Sequence, residues 1–158
     1  MKKLVIGSIL VALSSGCSIK QRVDPVEMSN TAEVCIQKNP DVRPGFLAEM
    51  EKVLTEKQIQ YRVLDQLDAN QQCEWTATYT ANWAWDLALY MVYAEIKVFR
   101  DGRLDGEAIY DARYGGANMS KFIDAEPKIR ELIEQLISQN KEKHQASMSW
   151  AFPYDVAI

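Results

Sequence analysis

Few side chains in this sequence could carry out catalysis. His144 is the only histidine, and it lies in a stretch rich in Lys, Glu and Gln that is typical of a solvated surface. Hydrolysis needs a nucleophile with a base, paired carboxylates or a metal ion. Asp101, Asp105 and Glu107 surround a predicted turn, but their spacing lacks the ligand series of an EF-hand. We therefore expect no catalytic residue, no metal site and no cofactor.

Aromatic side chains are the stronger candidates for a binding surface. An aromatic ladder occupies the middle of the chain, at Trp75, Tyr79, Trp83, Trp85, Tyr90 and Tyr93. Such a ladder can line a sugar- or peptide-binding face, but aromatic side chains also dominate cores, and packing under helices is the alternative that we favour for most of it. Three more aromatic residues near the end of the chain either dock on their own domain or bind a partner as an extended strand. The candidate binding surface consists of Trp83, Trp85, Trp150, Phe152 and Tyr154.

The first sixteen residues have the order of a secretory signal peptide. Lys2 and Lys3 precede an apolar run from residue 4 to residue 13, and small residues follow up to Gly16. The run is about ten residues long, whereas a membrane-spanning helix needs about 20. We expect residues 1–16 to direct export rather than to span the membrane.

Ser15-Gly16-Cys17 follows this apolar run and resembles the lipobox of bacterial lipoproteins. In that family the signal is cut before the cysteine, whose sulfur then carries a diacylglycerol and whose amine is usually acylated. The resemblance implies that Cys17 begins the mature chain and anchors it, because two or more acyl chains hold a protein stably at a bilayer. The family prefers leucine where Ser14 stands, so an ordinary signal peptide with an unmodified thiol is the alternative. Ser18, rather than aspartate, follows the cysteine, which in Gram-negative lipoproteins implies transfer to the outer membrane.

Two cysteines remain if Cys17 carries lipid. An even remainder in an oxidising compartment indicates one disulfide, between Cys35 and Cys73. Two separate buried thiols are the alternative, and a metal site is a third possibility.

Charge and length limit the class of protein. The mature chain would run from residue 17 to residue 158, which suits one domain with a real core. Without Lys2 and Lys3, 16 basic residues face 22 acidic ones, a formal charge of −6. An acidic surface disfavours nucleic acid and anionic lipid as partners.

Hydrophobic periodicity defines the elements that must position these residues. Residues 31–37 and 59–64 alternate as strands, and between them apolar residues recur on one face of a helix that begins at Pro44. Residues 73–99 form two strands with a bend at residues 83–86, and we expect the second strand to be central in the sheet because it is apolar on both faces. Asp101-Gly102 centres a tight hairpin, which leads into a returning strand. A second amphipathic helix begins near Pro127.

This order, β-α-β-β-β-β-α, predicts a two-layer α+β domain with a mainly antiparallel sheet of about five strands and both amphipathic helices on one face. The domain spans residues 31–140, between a lipidated tether at 17–30 and a C-terminal tail at 141–158. The segment from Ala94 to Ile137, with its Asp-Gly hairpin, "GEAIYDAR" and Gly-rich loop, also resembles uncharacterised Gram-negative envelope lipoproteins.

We therefore expect an outer-membrane lipoprotein that faces the periplasm, with a non-catalytic role in binding or envelope assembly. Its partners would be the membrane, through the lipid on Cys17, and an envelope protein. A periplasmic enzyme inhibitor or an envelope-acting hydrolase is the alternative. A hydrolase would show a pocket with several acids, an inhibitor a protruding loop at residues 114–120, and a binding protein an exposed aromatic patch or an open sheet edge.

Overall fold

The structure, a computed structural model, describes residues 19–28, 31–65, 73–116 and 118–137. Over these residues the chain forms six strands, two α-helices and one short 3₁₀ helix at Met119–Lys121. The strands and helices are β1 (Lys20–Asp24), β2 (Glu33–Gln37), α1 (Pro44–Glu56), β3 (Gln60–Leu64), β4 (Trp75–Asp86), β5 (Ala88–Arg100), β6 (Arg103–Asp111) and α2 (Ala125–Leu136).

All six strands belong to one mixed sheet, in the order β1-β6-β5-β4-β2-β3. Within this order, the pairs β1–β6, β6–β5 and β5–β4 are antiparallel. Strand β2 runs parallel to both β4 and β3. The two helices pack on each other and against the sheet. The predicted two-layer α+β fold is thus confirmed, with six strands in place of about five.

The additional strand lies in the segment assigned to a tether. Lys20–Asp24 pairs with β6, so part of residues 17–30 belongs to the sheet. The chain then continues to Val26, which is fully buried and donates its backbone N–H to the carbonyl of Leu136 over 2.7 Å. The sequence does not indicate this strand, because Val23 is its single apolar residue. Its place comes from backbone pairing and not from an alternating pattern.

One core lies between the helices and the sheet. On β4, Trp75, Ala77, Tyr79 and Ala81 all face it, and their neighbours on the opposite face are partly or fully exposed. Helix α1 begins with a proline in its first turn and buries the ring of Phe46, which stacks on Tyr79 with 5.1 Å between centroids. The predicted alternation of β4 is therefore confirmed, and the core takes the Trp75 side of the strand.

The two hairpins of the sheet have different turns. Asp101 and Gly102 both have positive φ, as a type I′ turn requires, which confirms the predicted Asp-Gly hairpin between β5 and β6. The bend expected at residues 83–86 is instead strand, with a bulge between Asn82 and Trp83 and a turn centred on Leu87. The turn lies later in the chain than predicted, and no Gly, Asn or Pro marks its position in the sequence.

An ion-pair cluster joins the two helices. Arg130 on α2 lies 2.7 Å from a carboxylate oxygen of Glu49 on α1, and it also pairs with Glu56. Glu49 is only 8% exposed, and this guanidinium is its closest cation. Lys52 adds a longer contact of 3.8 Å.

We expect Arg130→Met to lower the free energy of unfolding by about 1–3 kcal/mol, because it leaves the buried carboxylate of Glu49 without its closest cation. Urea unfolding would measure the loss. Glu134→Gln is the matched control, since Glu134 is half-exposed and 3.5 Å from Arg130, and it should change stability by less than about 0.5 kcal/mol. Equal effects of the two substitutions would contradict the role given to Glu49.

Candidate functional site

Several of the residues singled out from the sequence lie outside the described residues. They are Cys17, His144, Trp150, Phe152 and Tyr154. The remaining candidates, Trp83 and Trp85, lie on the same strand and are two residues apart.

Trp83 and Trp85 differ in their surroundings. Trp83 is half-buried and packs against the core. Its cross-strand partner on β5 is the fully buried Met91. The guanidinium of Arg43 lies 5.5 Å from its ring centroid, a cation–π contact. Trp85 is 75% exposed. The core ends between these two positions, and only Trp85 is free to contact a partner through most of its surface.

Most of the remaining aromatic ladder is structural. Trp75 and Tyr79 are buried, and the backbone N–H of Asn39 donates a hydrogen bond of 3.2 Å to the Tyr79 hydroxyl oxygen. Tyr90 is also buried, whereas Tyr93 is half-exposed on the other face of the sheet. Core packing, the alternative favoured for this ladder, is thus what its first members do.

The hairpin between β4 and β5 ends in an exposed apolar group. We call Trp85, Leu87 and Leu89 the apolar tip. Trp85 and Leu89 are cross-strand partners, and Leu87 between them is 92% exposed with a φ of 62°. Strand β5 is central, as expected, but residues 88–91 extend beyond the last ladder pair of β6, and β4 is the one strand that they pair with. The apolar residues on both faces of β5 therefore have two causes. Part of the strand is central in the sheet, and its first residues belong to a hairpin that extends beyond β6.

A loop that follows β6 supports the projecting hairpin. Lys121 Nζ donates to Asp86 Oδ2 and to the carbonyl oxygen of Gly116, both over 2.9 Å. The hydrogen bond to Asp86 raises the pKa of Lys121, so this ammonium keeps its charge. Tyr90 meets Phe122 edge to face at 4.8 Å. These contacts hold the loop and the hairpin as one unit.

The start of the described chain lies at the same end of the sheet. Lys20 pairs with Asp111, which pairs in turn with Tyr93 in the half of β5 nearest the apolar tip. A side chain built on Gly115, in the supporting loop, would lie 3.6 Å from Ile19 Cγ1. The described chain therefore begins beside this loop, at Ile19, which is two residues after Cys17.

The sheet face opposite the helices carries a paired charge network. Glu107 is buried and bonds to Arg22, and Lys97 lies between it and Glu95. Partial burial alone would raise the pKa of Glu95, but hydrogen bonds from Lys97 and Tyr93 outweigh burial and hold that pKa below its usual value. Burial and the hydrogen bond to Glu95 raise the pKa of Tyr93. The network therefore favours the charged form of Glu95.

One cavity in the described part of the chain has a mainly polar lining. It has a volume of about 360 Å³ and lies where β2 ends, beside Lys38, Asn39 and Asp41. Among its described lining residues, Asp41 is the one acid. The amide nitrogen of Asn39 already donates to the backbone carbonyl of Tyr79 over 3.0 Å.

Metal ligands and membrane spans can be assessed for the same residues. Within residues 19–28, 31–65, 73–116 and 118–137, no three His, Cys, Asp or Glu side chains lie close enough to share a metal ion. No helix among them has both the length and the apolar character needed to cross a bilayer.

The chain is thus a two-layer α+β domain that carries an exposed apolar hairpin. No protein-family model matches the chain, and no curated protein matches it. Its fold is similar to that of the PelC dodecamer from Paraburkholderia phytofirmans, with a TM-score of 0.53 and 11% identity over 77% of this chain and 99% of that one. A variant of the same dodecamer gives a TM-score of 0.50 and 10% identity over 75% and 95% of the two chains. At these identities the likeness shows a shared fold.

Proposed function

We propose that this chain is an outer-membrane lipoprotein whose acylated Cys17 holds a periplasm-facing α+β domain at the membrane for a non-catalytic role in binding or envelope assembly. The observation that carries the proposal is that two of the three cysteines form a disulfide, which leaves Cys17 for lipid attachment. Cys35 and Cys73 form a disulfide, which is typical of an exported protein, and Cys17 stands at the lipobox-like end of the signal. Lipid attachment then raises the effective concentration of the domain at its target surface.

A binding role fits the surface better than the alternatives do. The apolar tip is an exposed patch that includes an aromatic ring, and β1 and β3 are open edges of the described sheet. The loop at residues 114–120, which an inhibitor would insert into an enzyme, is tied to the hairpin through Lys121. A binding protein would use the hairpin and this loop together. We include a second copy of the chain among the envelope partners to be tested, because the PelC neighbours are dodecamers.

We expect Cys17→Ser to release the protein from the membrane fraction, because it removes the thiol that accepts the diacylglycerol. Fractionation of Gram-negative cells and mass spectrometry of the N-terminal peptide would measure location and acylation together. Ser18→Asp is the matched control, and it should keep the lipid but move the protein to the inner membrane. An unacylated mature product that distributes in the same way with or without Cys17 would contradict the proposal.

Cross-linking of the lipidated protein in intact membranes would identify the partner class. Recovery of an envelope protein or of a second copy supports the binding role. Turnover of a cell-wall substrate by the purified protein, with no cross-linked partner, would favour the hydrolase instead.

A further inference from the structure

We propose that the apolar tip (Trp85, Leu87 and Leu89) is a second membrane contact, which enters the interfacial layer of the same leaflet that holds the acyl chains. The partner is a lipid surface, contacted by side chains that lie far from Cys17 in sequence. This inference rests on the proposed function, because it needs the lipid on Cys17 to bring that surface close.

The exposed apolar residues are concentrated at one end of the domain. Among the described residues, seven large hydrophobic side chains are exposed. The three residues of the apolar tip are among them, and Tyr114 and Met119 of the supporting loop are two more. Single exposed apolar residues are ordinary on protein surfaces, but a cluster of five at one end marks a contact site.

Leu87 is poorly suited to its backbone position on structural grounds. Its φ of 62° lies in the left-handed region, where Gly, Asn and Asp are favoured and a bulky residue is strained. Its side chain is 92% exposed, so it gains almost no packing in return. A large apolar residue at this position is explained if the side chain is buried elsewhere, in a surface that the domain contacts.

The geometry places this end of the domain towards the acyl chains. Five residues, 88–92, separate the apex of the hairpin from the end of β6, a projection of about 17 Å along the strand. Ile19 lies beside the supporting loop, and two residues of chain span at most about 7 Å, so lipid on Cys17 would be tethered within that reach of Ile19. Lipid on Cys17 therefore holds the bilayer beside the base of the hairpin, and the tip is long enough to reach it.

The chemistry of the tip suits the interfacial layer. Tryptophan is enriched where a membrane meets water, since its ring is apolar and its indole N–H can still find a partner. The one acid at the tip, Asp86, is neutralised by Lys121. Leu87 and Leu89 supply the apolar contact, which for an interfacial element reaches about 5–10 Å into the headgroup boundary. The net negative charge of the protein points to zwitterionic rather than anionic lipid.

The test uses the full-length acylated protein in phosphatidylethanolamine and phosphatidylcholine vesicles whose acyl chains carry bromine, which quenches nearby tryptophan fluorescence. Trp85→Phe assigns the signal, because the other tryptophans remain. We expect a quenched component in the parent protein that disappears in this variant. Quenching that is the same in both proteins would overturn the inference.

Leu87→Asn tests the apex while keeping the fold, because asparagine accepts the left-handed backbone. We expect it to reduce quenching of Trp85 about twofold or more. Leu104→Asn is the matched control, since Leu104 is 53% exposed near the opposite hairpin, and it should leave the quenching unchanged. An equal loss in the two variants would overturn the inference, as would cross-linking that finds the tip covered by a protein rather than by lipid.

Mass spectrometry of the same samples separates the two proposals. An unmodified Cys17 would contradict the proposed function. An acylated Cys17 with no quenching of Trp85 would contradict the membrane contact alone.

Discussion

Replacing Gly106 with valine is expected to prevent the domain from folding, with a loss of more than about 4 kcal/mol. A Cβ atom at this position would lie 2.7 Å from the backbone oxygen of Asp24, and it would also collide with the side chain of Val26. Both contacts belong to the segment that leaves β1 and crosses Gly106 on its way into the core. Side chains at this position would separate that segment from β6, and the fully buried Val26 would lose its place.

The size of the effect should follow the size of the side chain. Gly106→Ala should cost less than Gly106→Val but remain clearly destabilising, because the backbone of Asp24 must move in either variant. Gly45→Ala is the control, since no atom lies within 4 Å of the added carbon, and it should be neutral or slightly stabilising. Guanidinium unfolding measures all three. A loss below about 1 kcal/mol for Gly106→Val would contradict the close approach at this glycine.

The elements with a local signal were predictable from the sequence. Helix α1 combines a proline in its first turn with an apolar face, and both are local features. The turn at Asp101-Gly102 needs positive φ at two successive residues, which this dipeptide accepts. The strand that begins at Trp75 alternates strictly as far as Ala81. In each case short-range sterics and burial favour the same structure.

Features set by distant parts of the chain were not predictable. Lys20–Asp24 carries no alternating pattern, and its strand exists because β6 offers a free edge. The need for glycine at position 106 arises from a segment some 80 residues earlier in the sequence. A single sequence does not reveal which backbones approach each other, so neither feature leaves a local signal.

The candidate site likewise combines a feature that the sequence predicts with one that depends on distant parts of the chain. Alternation places Trp83 and Trp85 on one face of β4, but it does not reveal where the helices above that face end. The structure shows that the core covers Trp83 in part and leaves Trp85 exposed. The exposure of Leu87 was not predicted, because a leucine within an apolar run indicates a core position. The missing Gly or Asn at a necessary turn is the signal that could have identified it.

The disulfide was expected from cysteine number and compartment, and its position gives it a large effect on stability. Cys35 is fully buried in β2, between β3 and β4 of the sheet, and Cys73 precedes β4 by two residues. The bond closes a segment of 38 residues that contains α1 and β3. In the loop-entropy model, closing a loop of this length restricts the unfolded chain by about 4 kcal/mol.

We expect Cys73→Ala to lower the free energy of unfolding by about 3–4 kcal/mol, because Cys73 is only half-buried and its replacement removes little besides the bond. Cys35→Ala should cost more, since it also leaves a small cavity at a fully buried site. The double variant should match Cys35→Ala, because the bond can be lost only once. Guanidinium unfolding of the oxidised protein and the three variants would measure this, with the parent protein under reductant as a further control. Additive losses, or a loss below about 1 kcal/mol for Cys73→Ala, would show that the bond does not constrain the unfolded chain.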